Sequence, residues 1–271
     1  MAGKPRAAAL GDGMSKIDVT DASKCYATPG GASFTALSGA TLRIEVGSFV
    51  CLLGPSGCGK TTLLNLIAGF ERPSSGTVRI DGADVAGPNP RHAVIFQDYG
   101  LFPWLTVERN VLFGLEARNV PADEARERAQ AQLRLVGLTL FSQSFPHQLS
   151  GGMKQRVALA RALAVEPDVL LMDEPFGALD AFTRYRLQDE LQRLHREKGL
   201  TIVFVTHDLD EAIYLADHVA LMAPNPGRIE RVIDVHLPRP CDRASSAFQE
   251  YRRQVFEAFH LIHEEAMEFC I

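Results

Sequence analysis

The sequence predicts an α/β protein in which short apolar strands end in residues suited to chemistry. Three stretches carry that expectation. "FVCLL", Phe49–Leu53, stops at Gly54 and is followed by a mostly buried helix marked by Leu63, Leu64, Leu66 and Ile67. "VLLM", Val169–Met172, runs into Asp173 and Glu174. "TIVFV", Thr201–Val205, ends just before His207. In a parallel sheet ligands gather beyond the C-terminal ends of the strands, so these three ends mark where a site belongs.

The first strand end carries the most specific pattern. "GPSGCGKT" reads as Gly54, four residues, Gly59, Lys60, Thr61, which is the full P-loop spacing between a strand and a helix. The candidate phosphate-binding residues are Gly54, Pro55, Ser56, Gly57, Cys58, Gly59, Lys60, Thr61 and Thr62. Glycines let backbone N–H groups curl around phosphate oxygens, and the helix N-terminus adds a favourable dipole. Lys60 supplies a point charge to the terminal phosphates of ATP, and the Thr61 hydroxyl is a ligand for Mg²⁺. The competing reading is chance, against which the flanking strand and helix argue. Cys58 sits near the helix N-terminus, where a thiol pKa tends to fall, so it is expected to be reactive and shielded by ATP; the bland reading is a small spacer in a loop where only the backbone matters.

Two carboxylates at the end of an apolar strand are costly unless they serve a site. Asp173 is expected to hold Mg²⁺, directly or through water, and Glu174 to polarise an attacking water. The alternative is a strand end capped by solvated acids. His207, at the end of its strand, is placed for a γ-phosphate contact, or is a plain loop histidine. Asp208 and Glu211 form a capping-box pattern for the next helix.

A second glycine pair, in "LSGGMKQRVALARAL", puts Ser150, Gly151 and Gly152 at the start of a helix. Exposed N–H groups and the dipole favour an anion there. The bland reading is a serine N-cap followed by flexible glycines.

Composition bounds the rest. The chain has 271 residues, is 46% hydrophobic and 23% charged, and carries a net charge of -5, which argues against nucleic acid and anionic lipid as partners. The cysteines, Cys25, Cys51, Cys58, Cys241 and Cys270, show no metal spacing and read as free thiols of a reducing compartment. No apolar run is long enough to span a bilayer, and the first residues lack a secretory h-region. If the protein works at a membrane, another protein holds it there.

Between Gln97 and Ser150 the strand–helix rhythm breaks. "PADEARERAQAQLRLVGL" reads as an amphipathic helix with Ala125, Ala129, Leu133 and Val136 on one face. Tyr99, Phe102 and Trp104 form an aromatic cluster that is either core or a docking groove. A C-terminal amphipathic helix is expected from Phe248 to about Glu265.

Taken together, "GPSGCGKT", Gln97, "LSGGMKQ", "LLMDEP", "GALD" and the "TH" at His207 resemble the nucleotide-binding subunit of ABC transporters, in family order from Ile17 to about Pro240. "QDYGLFPWLTVERNVLFGL", "TLLNLIAGF" and "DEPFGALDAFTR" are similar to importers of taurine, aliphatic sulfonates and nitrate, and "TLLNLIAGF" and "FQEYRRQVFEAF" lean to taurine. The resemblance implies a P-loop NTPase (RecA-like) core with an antiparallel β subdomain and an inserted α-helical subdomain. It implies a loose tail at residues 1–14, the nucleotide-binding domain at 15–240 with its helical part at about 98–155, and a helical tail at 241–271. It makes Glu174, His207 and Gln97 the catalytic group, and Thr61, Gln97 and Asp173 the Mg²⁺ group. Tyr26 falls where an aromatic stacks on adenine, or is an early-strand core tyrosine. Ser150, Gly151 and Gly152 would close on ATP held by a second copy packed head to tail, with Asp180 at the seam. Met153 departs from the family's usual Gln. Implied partners are integral membrane permease subunits and, indirectly, a periplasmic solute-binding protein, with the cassette on the cytoplasmic face of the inner membrane. Alternatives are import of nitrate or another small solute, a soluble non-transport ABC ATPase, and a P-loop kinase. The last would not need "LSGG".

Overall fold

The computed structural model describes residues 14–27 and 33–268, so the tail expected at 1–14 lies outside the described residues except for Met14, as does Cys270. The chain divides into two compact units, one formed by 1–89 with 195–271 and the other by 90–194.

The first unit holds two sheets. Strands β1 (Ser15–Ala27), β2 (Ser33–Glu45), β4 (Ser75–Ile80) and β5 (Ala83–Asp84) form an antiparallel sheet in the order β2-β1-β4-β5. Its inner face follows the period of two: Ile17 and Val19 are buried while Thr20 is exposed, and Val19 pairs with Leu42 on one side and Val78 on the other. The second sheet sets β3 (Phe49–Leu53) between parallel β8 (Thr201–Thr206) and β9 (His218–Ala223), with β10 (Arg228–Asp234) antiparallel on β9. Every residue of β3 and β8 is buried, as expected of parallel strands covered on both faces.

Helix α1 (Lys60–Ala68) follows β3, α6 (Leu209–Leu215) follows β8, and α7 (Ser246–Glu268) packs on α6 and β9. The C-terminal helix thus starts slightly before Phe248 and extends slightly beyond Glu265. It buries Phe248, Val255 and Ala258. The segment leading to it and α7 itself hold α6 at its two ends. The Arg239 guanidinium donates to the carbonyls of Ile213, Tyr214 and Ala216, which close α6. Arg252 pairs with Asp210 in its first turn at 2.8 Å.

The second unit contains the parallel pair β6 (His92–Ile95) and β7 (Val169–Asp173), with α2 (Val107–Ala117), α3 (Ala122–Leu135) and α4 (Gly151–Ala164) packed on one another. Helix α5 (Ala181–Lys198) runs from this unit into the first. Helix α3 is the amphipathic one anticipated, and Ala125, Ala129 and Leu133, with Val136 at its end, are all buried. Buried Asn110 organises the loop before α2: its side-chain oxygen accepts from Phe102 N–H, and its amide donates toward the carbonyls of Phe102, Leu105 and Thr106. Among the described residues no helix is long and apolar enough to cross a membrane.

Candidate functional site

The register of the parallel strands brings the first set of residues together. Leu53 pairs with Thr206, so Gly54 and His207 leave the same sheet edge side by side. The loop from Gly54 to Gly59 then turns tightly into α1. A side chain at Gly54 would sit 2.6 Å from Cys58 Sγ and 2.7 Å from the Met222 carbonyl. Gly59 has φ +89, and its Cβ would lie 2.8 Å from the Ala36 carbonyl. Only glycine fits either position without moving the backbone around it. Ser56, Gly57 and Thr61 are exposed, Pro55 and Thr62 half-buried. Lys60 is 6% exposed, and its ammonium donates to the Gly54 and Pro55 carbonyls at 2.8 and 2.9 Å. The loop therefore wraps its own cation with neutral oxygens and presents a cradle for an anion.

Cys58 departs from expectation. Its side chain is fully buried, and burial pushes its thiol pKa up, opposed only in part by the charge and hydrogen bonding of Lys60. Burial outweighs the helix terminus here.

Tyr26, near the end of β1, is half-buried rather than core. Its hydroxyl donates to the Glu71 carboxylate at 2.8 Å, and Lys24 pairs with the same carboxylate at 2.9 Å while standing 5.2 Å from the ring centre. The ring is thereby fixed in orientation at the rim of the sheet. Burial and the Glu71 carboxylate both raise the Tyr26 pKa, so the phenol stays protonated.

His207 is exposed. The turn around it is locked: Thr206 Oγ donates to Glu211 at 2.7 Å and accepts from Asp208 N–H at 3.0 Å. Asp208 caps α6 as expected, accepting from the N–H groups of Asp210 and Glu211. The Glu211 carboxylate, read from the sequence as the other half of a capping box, instead lies buried against Thr206.

The second unit brings the remaining residues together. Ile95 pairs in parallel with Met172, so Gln97 and Glu174 each follow two residues beyond. Gln97 is exposed, Asp173 is 6% exposed at the end of β7, and Glu174 is half-buried. Glu174 has φ +47, a left-handed conformation that costs a non-glycine residue energy and recurs at functional sites. Ser150 is the N-cap of α4, its Oγ accepting from Met153 N–H at 3.3 Å. Gly151 is exposed and Gly152 half-buried, and a Cβ on Gly152 would lie 3.2 Å from the Ala178 carbonyl. Met153 contributes to this cap through its backbone. Asp180 is exposed and caps α5, and the Thr183 N–H it accepts holds its carboxyl below the usual range.

Two residues that the sequence reading passed over wire this unit. Buried Gln155 on α4 donates to the Glu174 carbonyl at 3.2 Å and accepts from Ala178 N–H at 3.3 Å. Arg161, also on α4, donates to the carbonyls of Gly100 and Tyr99 at 2.7 and 3.1 Å, reaching the loop that begins at Gln97. Its guanidinium also stands 5.7 Å from the Phe102 ring centre. The aromatic cluster is a surface feature. Trp104 is 71% and Phe113 46% exposed, and Phe102 contacts both. Tyr99 turns away from it, its hydroxyl beside Gly151.

Residues 37–177 match the family described as ABC transporter. The chain belongs to the ABC transporter family. As an ABC ATPase it binds and hydrolyses ATP. It is 49% identical over 220 residues to an uncharacterized ABC transporter ATP-binding protein of Methanocaldococcus jannaschii, covering 81% of this chain and 82% of that one. It is 43% identical over 243 residues to the aliphatic sulfonates import ATP-binding protein of a Bacillus cereus strain, covering 90% and 95%. The dimeric structure of a bacterial ABC transporter cassette superposes with TM-score 0.76 at 35% identity over 81% of this chain and 99% of that one. The architecture is that of an ABC cassette, with its antiparallel β subdomain and its helical subdomain.

Proposed function

We propose that this ABC ATPase powers uptake of a small anionic solute of the sulfonate class, taurine among them, through a membrane permease. The observation that carries the nucleotide half of this reading is Lys60, a buried cation whose ammonium donates to the Gly54 and Pro55 carbonyls and more distantly to Cys58 Sγ, within a loop that glycines alone can form. Such a loop fits a polyphosphate. Its N–H groups and Lys60 bind and orient the terminal phosphates, with Tyr26 beneath the adenine.

Among the described residues no three His, Cys, Asp or Glu side chains cluster as a metal site. Thr61, Asp173 and Gln97 are the oxygen donors suited to Mg²⁺, which when bound neutralises charge on the phosphate oxygens. Glu174 takes the proton of the attacking water, and His207 and Gln97 orient the γ-phosphate and that water. Ser150, Gly151 and Gly152 offer N–H groups to nucleotide held by a second copy packed head to tail, with Asp180 at the seam. The dimeric cassette among the solved relatives supports that pairing.

The exposed Phe102–Trp104–Phe113 patch supports docking of a permease, and with it a working position at the cytoplasmic face of the inner membrane. A periplasmic solute-binding protein would deliver the solute. The sulfonate class is supported by the name of the Bacillus cereus relative. The test is ATP hydrolysis by the reconstituted transporter. Stimulation by taurine or an alkanesulfonate through its binding protein is expected, and stimulation by nitrate alone would replace the sulfonate assignment.

A further inference from the structure

Gln155 lies on α4, the signature helix that the "LSGG" loop opens, yet both of its hydrogen bonds leave that helix. Its amide donates to the Glu174 carbonyl and its oxygen accepts from the Ala178 N–H, so one side chain spans the turn that follows β7. At 4% exposure it has little access to water in place of those partners. The turn it spans is unusual in two ways. Glu174 is held at φ +47, and the Glu174 carbonyl also accepts from Gly177 N–H at 3.3 Å. A left-handed glutamate persists only where its surroundings determine it. The close approach of Gly152 to the Ala178 carbonyl presses the same turn against the start of α4.

We propose that Gln155 is a positioning residue for hydrolysis: it holds the Glu174–Ala178 turn in the shape that aims the Glu174 carboxylate, and ties that carboxylate to the signature helix of its own chain. This rests on the role proposed above for Glu174 as base. In the head-to-tail dimer the signature loop serves one nucleotide and Glu174 the other. A shift of α4 on closing over the partner's nucleotide therefore passes through Gln155 to the base at the chain's own nucleotide.

The test uses the full-length chain with ATP and Mg²⁺. Gln155→Leu fills the same space without either hydrogen bond, and Gln155→Met serves if the leucine variant fails to fold, because its flexible side chain repacks readily. The expected result is a kcat lower by about tenfold or more, as misplacement of a catalytic group by a fraction of an ångström to an ångström implies. KM for ATP should stay within about twofold, the split that marks loss of an interaction made in the transition state. In the nucleotide-free chain, hydrogen exchange of the Gly177 and Ala178 amides should accelerate. Leu191→Ala, which opens a gap on the buried face of α5, lowers thermal stability and should leave both readings unchanged. An unchanged kcat in the Gln155 variants, or a rise in KM alone, overturns the proposal whatever the exchange shows. Glu174→Gln in the same assay separates the two ideas. If it hydrolyses ATP like the wild type, the base assignment falls and this inference with it. If it is inactive while Gln155→Leu is not, the positioning role alone falls.

Discussion

Thr206 donates its hydroxyl to Glu211 at 2.7 Å, and both side chains are buried at the turn that carries His207. Thr206→Val keeps the shape and removes both this donor and the acceptor of the Asp208 N–H. Leaving a buried carboxylate short of a partner costs about 1–3 kcal/mol. A urea midpoint lowered by that free energy divided by the m-value is expected for Thr206→Val, and a near-normal midpoint for Thr206→Ser. Equal midpoints for the valine variant and the wild type would show that the bond contributes nothing.

Lys60 and Ser150 belong to different halves of the proposed composite site. Lys60→Ala removes the cation and should abolish hydrolysis and weaken ATP binding. Ser150→Arg should leave ATP binding by the single chain nearly intact while hydrolysis collapses. Mixing the two inactive chains in the assembled complex gives a heterodimer with one site carrying neither defect, and part of the activity should return. Recovery excludes a site built within one chain.

Cys58 should resist alkylation. Its thiol is buried and its pKa raised, first by burial, so little thiolate is present at neutral pH. Exposed Cys25 should be modified well before it in iodoacetamide labelling followed by mass spectrometry. Rapid loss of the Cys58 thiol in the native chain would contradict this.

Glu71 ties Tyr26 to Lys24, and its carboxyl pKa lies below the ordinary value. Burial acts to raise it, and the hydrogen bonds from Lys24 and Tyr26 outweigh that. A depressed pKa stabilises the fold fully above the unfolded value, and the contribution fades as pH falls through the folded one. Glu71→Gln should therefore narrow its stability deficit below about pH 4.5, the ordinary value for this group. Melting curves from pH 7 to pH 3 would show it, and a deficit constant with pH would refute it.

Much of this was legible because the strands announce themselves. Phe49–Leu53 forms β3 as read, while β7 and β8 each run one residue further than their apolar stretches, onto Asp173 and Thr206. Those two are polar residues in strand positions, which an apolar run cannot extend to include. The α4 cap was legible from "LSGG". Gln155 and Arg161 were not, because their partners lie 19 to 62 residues away and no local period encodes a side chain that reaches out of its own helix. Glu211 was misassigned because the three-residue spacing from Asp208 fits a cap equally well. The burial of Cys58 depends on how the loop folds back against β9, which spacing alone does not reveal. Tyr26 could be read as core or rim until its hydroxyl was seen tied to Glu71.

The clasp of Arg239 on the last carbonyls of α6 sets a limit on how far the chain can be trimmed. A shortened version ending before Arg239 would open three buried carbonyls at the far end of the helix that follows His207. One ending between Arg239 and α7 keeps the clasp and uncovers the apolar surface under Phe248 and Val255. The smallest self-sufficient cassette therefore extends through the buried part of α7. Domain swaps between relatives that exchange the nucleotide core should carry this C-terminal strap along with it.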